Sequence, residues 1–233
     1  MTDFSIIIPA KNEELRIRQT LIDYSEFFRK TKKSFEILIV LNNCHDKTED
    51  VVKEIKKIYK EVNYVNFSEP IGKGGALLEG FKLAKGDLIT YTDADGSTSP
   101  ETLFELSKKI EDYDGIIGSR WIKGANIIKK QTLKRRIASR AFNLLTKIIL
   151  GLKFKDTQCA AKVFRKKAIE SIKNKIEPTN FAIDAILLYN LKKNNFRIKE
   201  VPITWEDKAF STLKMSKVIP NMFKAILKAR FKN

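Results

Sequence analysis

Short apolar runs alternate with helix-forming segments along the first half of this chain, and no other feature constrains its fold as strongly. The apolar runs are 4–9, 36–41, 62–67, 88–92 and 115–118. Helical segments are expected from about residues 12, 48, 72 and 100, and Asn12 is placed to cap the first of them, which should last to about Lys30. Strands and helices that alternate at this length indicate βαβ units. We therefore expect an α/β fold with a mostly parallel sheet flanked by helices.

The composition excludes several classes of protein. With 43% hydrophobic and 31% charged residues, the 233-residue chain is typical of a globular protein. A single histidine, His45, excludes a histidine-rich metal cluster, and two cysteines, Cys44 and Cys159, are too few for a disulfide framework. The longest apolar segment, 141–152, contains Lys147 and is shorter than the roughly 20 residues that a bilayer requires. We expect no membrane-spanning helix.

Two carboxylates follow the fourth apolar run directly. Asp93 and Asp95 come after residues 88–92, and the sequence Ser99-Pro100-Glu101 then has the features of a helix N-terminus. In an open α/β sheet, ligands bind at the carboxyl ends of the strands. Two aspartates there, with Ser97 nearby, form an oxygen-rich site suited to Mg²⁺ or Mn²⁺ carrying a diphosphate. Aspartate is also common in turns and helix caps, so a structural role stays open.

A glycine-rich segment, residues 72–75, precedes the fourth run. It is neither a P-loop nor a dinucleotide fingerprint, because Gly74 is followed by Gly75-Ala76 and residue 77 is leucine. The segment is compatible with a tightly packed helix start. It is equally compatible with Lys73 and helix amide groups that face a phosphate or a nucleoside.

These motifs together resemble those of family 2 glycosyltransferases with the GT-A (Rossmann-like) fold. The motifs are Pro9-Ala10-Lys11-Asn12-Glu13, the turn at Asn42, Gly72-Lys73-Gly74-Gly75-Ala76, Lys85-Gly86-Asp87 and Asp93-Ala94-Asp95-Gly96. Three further segments, Gly118-Ser119-Arg120, the basic run 134–140 and Asp156-Thr157-Gln158-Cys159, are similar to those of the polyprenyl-phosphate glycosyltransferases. Among these, dolichyl-phosphate β-glucosyltransferases and dolichol-phosphate mannose synthases are the groups most resembled. The resemblance implies a GT-A domain over residues 1–207 and a basic amphipathic C-terminal helix over 208–233.

The resemblance also implies a donor site. Its nucleotide-binding residues would be Pro9, Ala10, Asn12, Glu13, Asn42, Lys73 and Asp93. Its metal ligands, for Mg²⁺ or Mn²⁺, would be Asp93 and Asp95, with Ser97. Members of the family often have two aspartates where this chain has Leu41-Asn42. This departure leaves the base open, between uracil and guanine.

For the acceptor, the resemblance implies that Arg120, Arg135 and Ser139 hold the phosphate of a polyprenyl lipid, with Asp184 near the acceptor and the donor sugar. Arginine suits two-pronged phosphate binding. A solvated basic helix face is the alternative for the arginines, and the amphipathic pattern of the same helix weakens it. Asp184 could be a cap or an exposed residue. Where the family often has a second acid, this chain has Ile186.

The net charge of +17 is concentrated in the second half. Residues 121–175 hold 16 Lys and Arg against two acids, and residues 208–233 hold seven basic residues and no acid. Such asymmetry indicates an anionic partner, either nucleic acid or anionic lipid. Two segments, 133–149 and 213–231, have apolar stripes at helical spacing, which favour the core or a membrane surface. Because basic and aromatic residues are not interleaved, we expect no nucleic-acid partner.

The expected reaction is the inverting, metal-dependent transfer of a hexose from a nucleotide-sugar of the UDP-glucose or GDP-mannose type to polyprenyl phosphate. The enzyme would be cytoplasmic and peripheral on the cytoplasmic face of a membrane. The alternatives are a family 2 enzyme with a soluble or carbohydrate acceptor, which would need Asp184 as a base, and a basic nucleic-acid-binding protein.

Overall fold

The computed structural model describes residues 2–129, 132–177, 181–206 and 215–231. The strands are β1 Phe4–Ala10, β2 Phe35–Asn42, β3 Val62–Phe67, β4 Leu88–Tyr91, β5 Gly115–Ser119, β6 Asn126–Lys129, β7 Lys162–Arg165, β8 Ile198–Pro202 and β9 Thr204–Glu206. The helices are α1 Ile17–Lys30, α2 Thr48–Ile58, α3 Gly72–Leu83, α4 Pro100–Lys108, α5 Leu133–Leu150, α6 Lys166–Ile172, α7 Ile183–Lys193 and α8 Met215–Phe231.

The central sheet has seven strands in the order β3-β2-β1-β4-β7-β5-β8. All neighbours pair in parallel except β7, which runs antiparallel to both β4 and β5. The strands β6 and β9 form a separate parallel pair. The expected α/β class with a mostly parallel sheet flanked by helices is therefore confirmed.

The sheet separates two hydrophobic cores, because alternate side chains of a strand point to opposite faces. In β1, Ile7 packs in the core that also contains Leu187 of α7 and Ile226 of α8. Its neighbours Ile6 and Ile8 pack in the other core, with residues of α1 and α2. Helix α8 therefore contributes to a core of the sheet rather than standing apart from it.

The first helix starts later than the sequence predicts. Asn12 does not cap it: its φ is +56°, and its Oδ1 accepts a hydrogen bond from the backbone N–H of His45 at 2.9 Å. Residues 13–16 form a turn instead, in which the carbonyl of Glu13 accepts from the N–H groups of Arg16 and Ile17, both at 2.9 Å. The predicted start of α4 is confirmed, since Ser99 caps it through a bond from Thr102 N and Pro100 is its first residue.

Candidate active site

Three parallel strands end side by side at one edge of the sheet. Strand β1 lies between β2 and β4, and the backbone N–H of Thr92 donates to the carbonyl of Ile7 at 3.1 Å. The residues after β4 therefore leave the sheet beside the end of β1. This arrangement brings together the residues that the sequence assigns to the donor site, namely Pro9, Ala10, Glu13, Asn42, Lys73, Asp93 and Asp95.

Asp93 forms an ion pair with Lys73 from the first turn of α3. Lys73 Nζ lies 2.6 Å from Asp93 Oδ1, and both side chains are partly exposed. Burial alone would raise the pKa of Asp93, but the charge and hydrogen bond of Lys73, with smaller contributions from Lys162 and Arg120, lower it. Lys73, which the resemblance assigns to the donor site, therefore lies directly beside Asp93.

The loop that carries both aspartates is fixed by helix α1. Thr20 donates from its hydroxyl to the carbonyl of Ala94 at 2.9 Å, and Tyr24 donates to the carbonyl of Thr98 at 2.8 Å. Within the loop, Asp95 Oδ1 accepts from the N–H of Ser97 at 3.0 Å. The Asp95 side chain thus stabilises the turn while its other oxygen is left for a ligand.

Glu13 brings a third carboxylate toward the two aspartates. Burial raises the pKa of Glu13, the negative charges of Asp95 and Asp93 raise it further, and Arg16 opposes them. Arg16 Nε donates to Glu13 Oε2 at 2.7 Å. Asn42 has a different role: it is buried, and its Oδ1 accepts from the N–H of Ile71 at 2.9 Å, so it joins the end of β2 to the start of α3.

The residues at this edge fit a divalent metal. Asp93 and Asp95 both supply carboxylate oxygens and remain partly exposed. Among the described residues, no group of three or more His, Cys, Asp and Glu side chains converges. A Mg²⁺ or Mn²⁺ ion would then complete its coordination with water and with phosphate oxygens of a ligand, as such ions commonly do. Ser97 is adjacent through its backbone bond to Asp95.

Asp184 is neither a helix cap nor an exposed residue, so both structural alternatives considered for it are wrong. It lies in the first turn of α7 with 4% of its surface exposed. Its Oδ1 accepts hydrogen bonds from Tyr91 Oη at 2.6 Å and from Lys162 Nζ at 2.5 Å. Helix α7 thus places this carboxylate directly beneath the end of β4.

Arg120, at the end of β5, is held by a buried carboxylate. Its Nε and Nη2 donate to Asp156 at 2.8 and 2.9 Å, and Asp156 is fully buried. Asp156 is itself fixed, since its N–H donates to Glu200 Oε1 at 2.8 Å. Among the described residues only Nη1 of this guanidinium is left without a hydrogen bond. Arg120 therefore offers one end to a ligand.

Buried donors without partners lie on and beside the arginine-rich turn of α5. Ser139 Oγ and Trp121 Nε1 are buried and make no hydrogen bond within the described residues. The guanidinium groups of Arg140 and Arg136 lie over the Trp121 ring, at 4.9 and 5.9 Å from its centroid. The side chain of Arg135 lies outside the described residues. Unsatisfied buried donors are unusual in native structures, and here they lie among cationic groups.

The apolar stripe of α5 divides between the core and the surface. Leu145 and Ile149 pack against the core. Leu133, Ile137, Leu144 and Ile148 are exposed, by 57 to 70% of their surface. In α8, Met222 and Ile226 are buried, whereas Ile219 and Phe223 are each 37% exposed. Residues 208–214, which begin the expected C-terminal segment, lie outside the described residues.

No helix in the described part of the chain has the length and hydropathy needed to cross a membrane.

Sequence reasoning missed two residues that support the site, Tyr91 and Lys162, and it named Asp156 only as part of a motif, without its bond to Arg120. A signal was present for Lys162, since a lysine inside the apolar segment Ala160-Ala161-Lys162-Val163-Phe164 is costly to bury unless it has a buried partner. Which acid is that partner depends on the antiparallel pairing of β7 with β4, which the sequence does not reveal.

A mostly parallel α/β sheet with two aspartates just after the end of a central strand is the arrangement expected of a glycosyltransferase of GT-A type. The family model named Glycosyl transferase family 2 matches residues 5–173. The chain belongs to this family and is a glycosyltransferase.

The chain is similar in sequence to relatives that are themselves glycosyltransferases. Glycosyltransferase AglD of Haloferax volcanii is 28% identical over 231 residues, which cover 97% of this chain but only 36% of AglD. A dolichyl-phosphate beta-glucosyltransferase of Dictyostelium discoideum is 30% identical over 241 residues, which cover 98% of this chain and 74% of that protein.

The fold also resembles that of a solved structure. Glucosyl-3-phosphoglycerate synthase from Mycobacterium tuberculosis, crystallised with Mn²⁺, uridine diphosphate and glucosyl-3-phosphoglycerate, superposes with a TM-score of 0.69 at 14% identity. The match covers 98% of this chain and 78% of the synthase. At this identity the similarity concerns the fold.

Proposed function

We propose that this enzyme transfers a hexose, with inversion, from a nucleotide-sugar of the UDP-glucose or GDP-mannose type to a polyprenyl (dolichyl) phosphate. The observation that carries the proposal is the pair of unpartnered buried donors, Ser139 Oγ and Trp121 Nε1, among the arginines of α5. A phosphate would accept hydrogen bonds from such groups and would balance the positive charge. The relatives named as dolichyl-phosphate glucosyltransferases support the same acceptor class.

The donor would bind at the ends of β1, β2 and β4. A divalent ion, Mg²⁺ or Mn²⁺, held by Asp93 and Asp95 with help from Ser97, would supply a Lewis acid that stabilises the diphosphate leaving group. The first turn of α3 offers its N–H groups and Lys73 to the same diphosphate. Pro9, Ala10 and Glu13 would border the nucleoside, near the backbone turn that Asn12 stabilises.

The acceptor phosphate would be the nucleophile. A phosphate monoester has a second pKa near 6, so at neutral pH it is largely ionised and needs no strong base to attack the anomeric carbon. Arg120, through Nη1, and Ser139 would orient it, with Arg135 as a further expected contact. Asp184 then has a positioning role rather than that of an essential proton acceptor. Attack on the side opposite the departing diphosphate gives inversion.

The exposed apolar residues of α5 are proposed to contact the surface of an anionic membrane. Leu133, Ile137, Leu144 and Ile148 lie on the helix that carries Ser139, and Arg140 and Lys147 are exposed beside them. A basic helix with an exposed apolar face is typical of interfacial binding. Contact there would place the lipid tail of the acceptor in the membrane while its phosphate reaches the site. Anionic lipids are enriched on the cytoplasmic leaflet, which is the side proposed for this enzyme.

The proposed function is tested by comparing acceptors that differ in one group. The enzyme, Mg²⁺ or Mn²⁺ and a panel of radiolabelled nucleotide-sugars are incubated with polyprenyl phosphate or with the matching polyprenol, which lacks the phosphate. We expect label to enter the organic phase only with polyprenyl phosphate. Equal transfer to polyprenol, or transfer only to soluble carbohydrate hydroxyls, would contradict the proposal and favour the alternative in which Asp184 is a base.

A further inference from the structure

Lys162 is a lysine buried in the middle of the sheet. It is the first residue of β7, the strand that lies antiparallel between β4 and β5, and none of its surface is exposed. Its Nζ donates to the carbonyl of Cys159 and, at 2.5 Å, to Asp184 Oδ1. A buried ion pair is weak evidence for stability, because apolar residues of similar size often pack as well. Stability alone therefore does not explain the Lys162–Asp184 pair.

Within the described residues, a single carboxylate oxygen of Asp184 accepts both of its side-chain hydrogen bonds. Both Lys162 Nζ and Tyr91 Oη donate to Oδ1. No described residue donates to Oδ2, and the side chain retains 6% of its exposure. Two donors on the same oxygen fix the rotation of the carboxylate and leave Oδ2 for a ligand.

Asp184 is linked by hydrogen bonds to both proposed sites. Tyr91, which donates to it, is two residues before Asp93 of the donor site. Lys162, its other donor, also bonds to the carbonyl of Cys159, three residues after the Asp156 that holds Arg120 of the acceptor site.

On the donor side, the charges of Asp93 and Asp184 raise the pKa of Lys73 although burial opposes them. On the acceptor side, burial lowers the pKa of Arg120, but the charge and hydrogen bond of Asp156, with a smaller contribution from Asp184, raise it. Without Lys162, the carboxylate of Asp184 would present an uncompensated negative charge to any phosphate that approaches between Lys73 and Arg120.

We propose that Lys162 and Tyr91 are positioning residues for transfer, which fix Asp184 with Oδ2 toward the reacting groups while Lys162 cancels its charge. This inference rests on the proposed function, because the charge matters only for an anionic acceptor, whereas the orientation matters for any acceptor. It adds to the site two residues that act through Asp184 and touch neither substrate.

The orientation is tested with two variants of neighbouring residues on β4. Tyr91→Phe removes a buried hydroxyl bonded to Asp184, and Thr90→Val removes a buried hydroxyl bonded to the carbonyl of Lys162 at 2.7 Å. We expect Tyr91→Phe to lower kcat/KM for the acceptor about tenfold, since the lost bond is to a charged group, with the donor KM nearly unchanged. Thr90→Val should stay within about twofold of wild type. Equal losses in the two variants, in step with their Tm values, would overturn the positioning role.

The charge is tested with Lys162→Met and the double variant Lys162→Met/Asp184→Asn. The single variant should raise the KM for polyprenyl phosphate roughly 100-fold, because it leaves a buried carboxylate unpaired. The double variant removes both charges, so its KM for polyprenyl phosphate should be at least about tenfold lower than that of the single variant, even if its kcat stays low. Equal acceptor KM values in the two variants would overturn the charge cancellation.

All rates are measured on the acceptor that the wild-type enzyme uses. A wild-type enzyme that prefers a hydroxyl acceptor contradicts the proposed function and the charge cancellation, and the comparison of Tyr91→Phe with Thr90→Val still decides the positioning role. A wild-type enzyme that uses polyprenyl phosphate, with variants that all behave like Thr90→Val, contradicts only this inference.

Discussion

Arg120 and Asp156 form a two-pronged ion pair, with Nε–Oδ2 and Nη2–Oδ1 distances of 2.8 and 2.9 Å. The Asp156 side chain is fully buried, and that of Arg120 is 9% exposed. The pair fixes the guanidinium at the end of β5, so that within the described residues only its Nη1 has no hydrogen-bond partner.

We expect Asp156→Asn to lower the free energy of unfolding by about 3 kcal/mol or more, because it leaves a buried guanidinium without its counter-charge. It should also raise the acceptor KM, since Arg120 is no longer fixed. Chemical denaturation and acceptor kinetics check both effects. Glu105→Gln is the control: its pair with Lys108 is exposed, and it should alter neither quantity noticeably. A stability loss no larger than that of the control would contradict the assigned role of the pair.

Asp95→Asn separates the charge of Asp95 from its structural bond. Asparagine retains an oxygen that accepts from Ser97 N–H, so the turn should persist while the metal site loses a charge. We expect turnover to fall about 100-fold or more and metal-dependent nucleotide binding to weaken. Kinetics and nucleotide titration with and without Mn²⁺ measure both. If Asp95→Asn keeps its activity when excess chelator is added, a metal role for this residue is refuted.

Ser139→Ala tests the acceptor phosphate site without disturbing the fold. Because Ser139 Oγ has no hydrogen bond within the described residues, its removal should leave stability unchanged or slightly improved. If it donates to the acceptor phosphate, the acceptor KM should rise about tenfold or more.

Ser25→Ala is a matched control for that change. Ser25 Oγ, on α1, is likewise buried and unpartnered. This variant should behave like Ser139→Ala in thermal unfolding but leave the acceptor KM at its wild-type value. Identical acceptor kinetics in the two variants would remove Ser139 from the site.

The exposed face of α5 gives a prediction for membrane binding. The double variant Ile137→Asn/Ile148→Asn should bind anionic liposomes at least about tenfold more weakly in a flotation assay, because each apolar side chain that enters the interface contributes about 1 kcal/mol or more. Wild-type binding should also weaken as salt is raised.

The control for membrane binding is Ile58→Asn, on α2, since Ile58 is 63% exposed on another part of the surface. Substitution on α5 is a sharper test than removal of α8, because Met222 and Ile226 of α8 are buried in the core. Equal flotation of the α5 variant and the wild type would contradict the proposed surface.

The sequence predicts which residues meet at the ends of β1, β2 and β4, because these residues follow strands that are adjacent and parallel. Asp93, Asp95 and Lys73 lie where the strand ends and the helix start place them, since local patterns define both. The fold class follows from the same alternation. The start of α1 was predicted too early, because Asn12 adopts a positive φ and bonds to His45 rather than to a helix N–H.

The buried supports could not be predicted because they depend on contacts between distant segments. Lys162 meets Asp184 and Tyr91 only because β7 enters the sheet antiparallel beside β4. Similarly, the guanidinium of Arg120 meets Asp156 across 36 residues of sequence. The division of the α5 stripe between core and surface is set by where α8 packs, and the pattern of α5 alone is compatible with either outcome.

In the proposed reaction, a phosphate oxygen of the acceptor attacks the anomeric carbon. The most direct test of this step is to incubate the wild-type enzyme with an α-linked nucleotide-sugar and a short-chain polyprenyl phosphate, and to determine the product by ¹H and ³¹P NMR. We expect a sugar joined through a phosphodiester with the β configuration, as inversion requires. A product linked through a hydroxyl oxygen, or one that retains the α configuration, would contradict the proposed reaction.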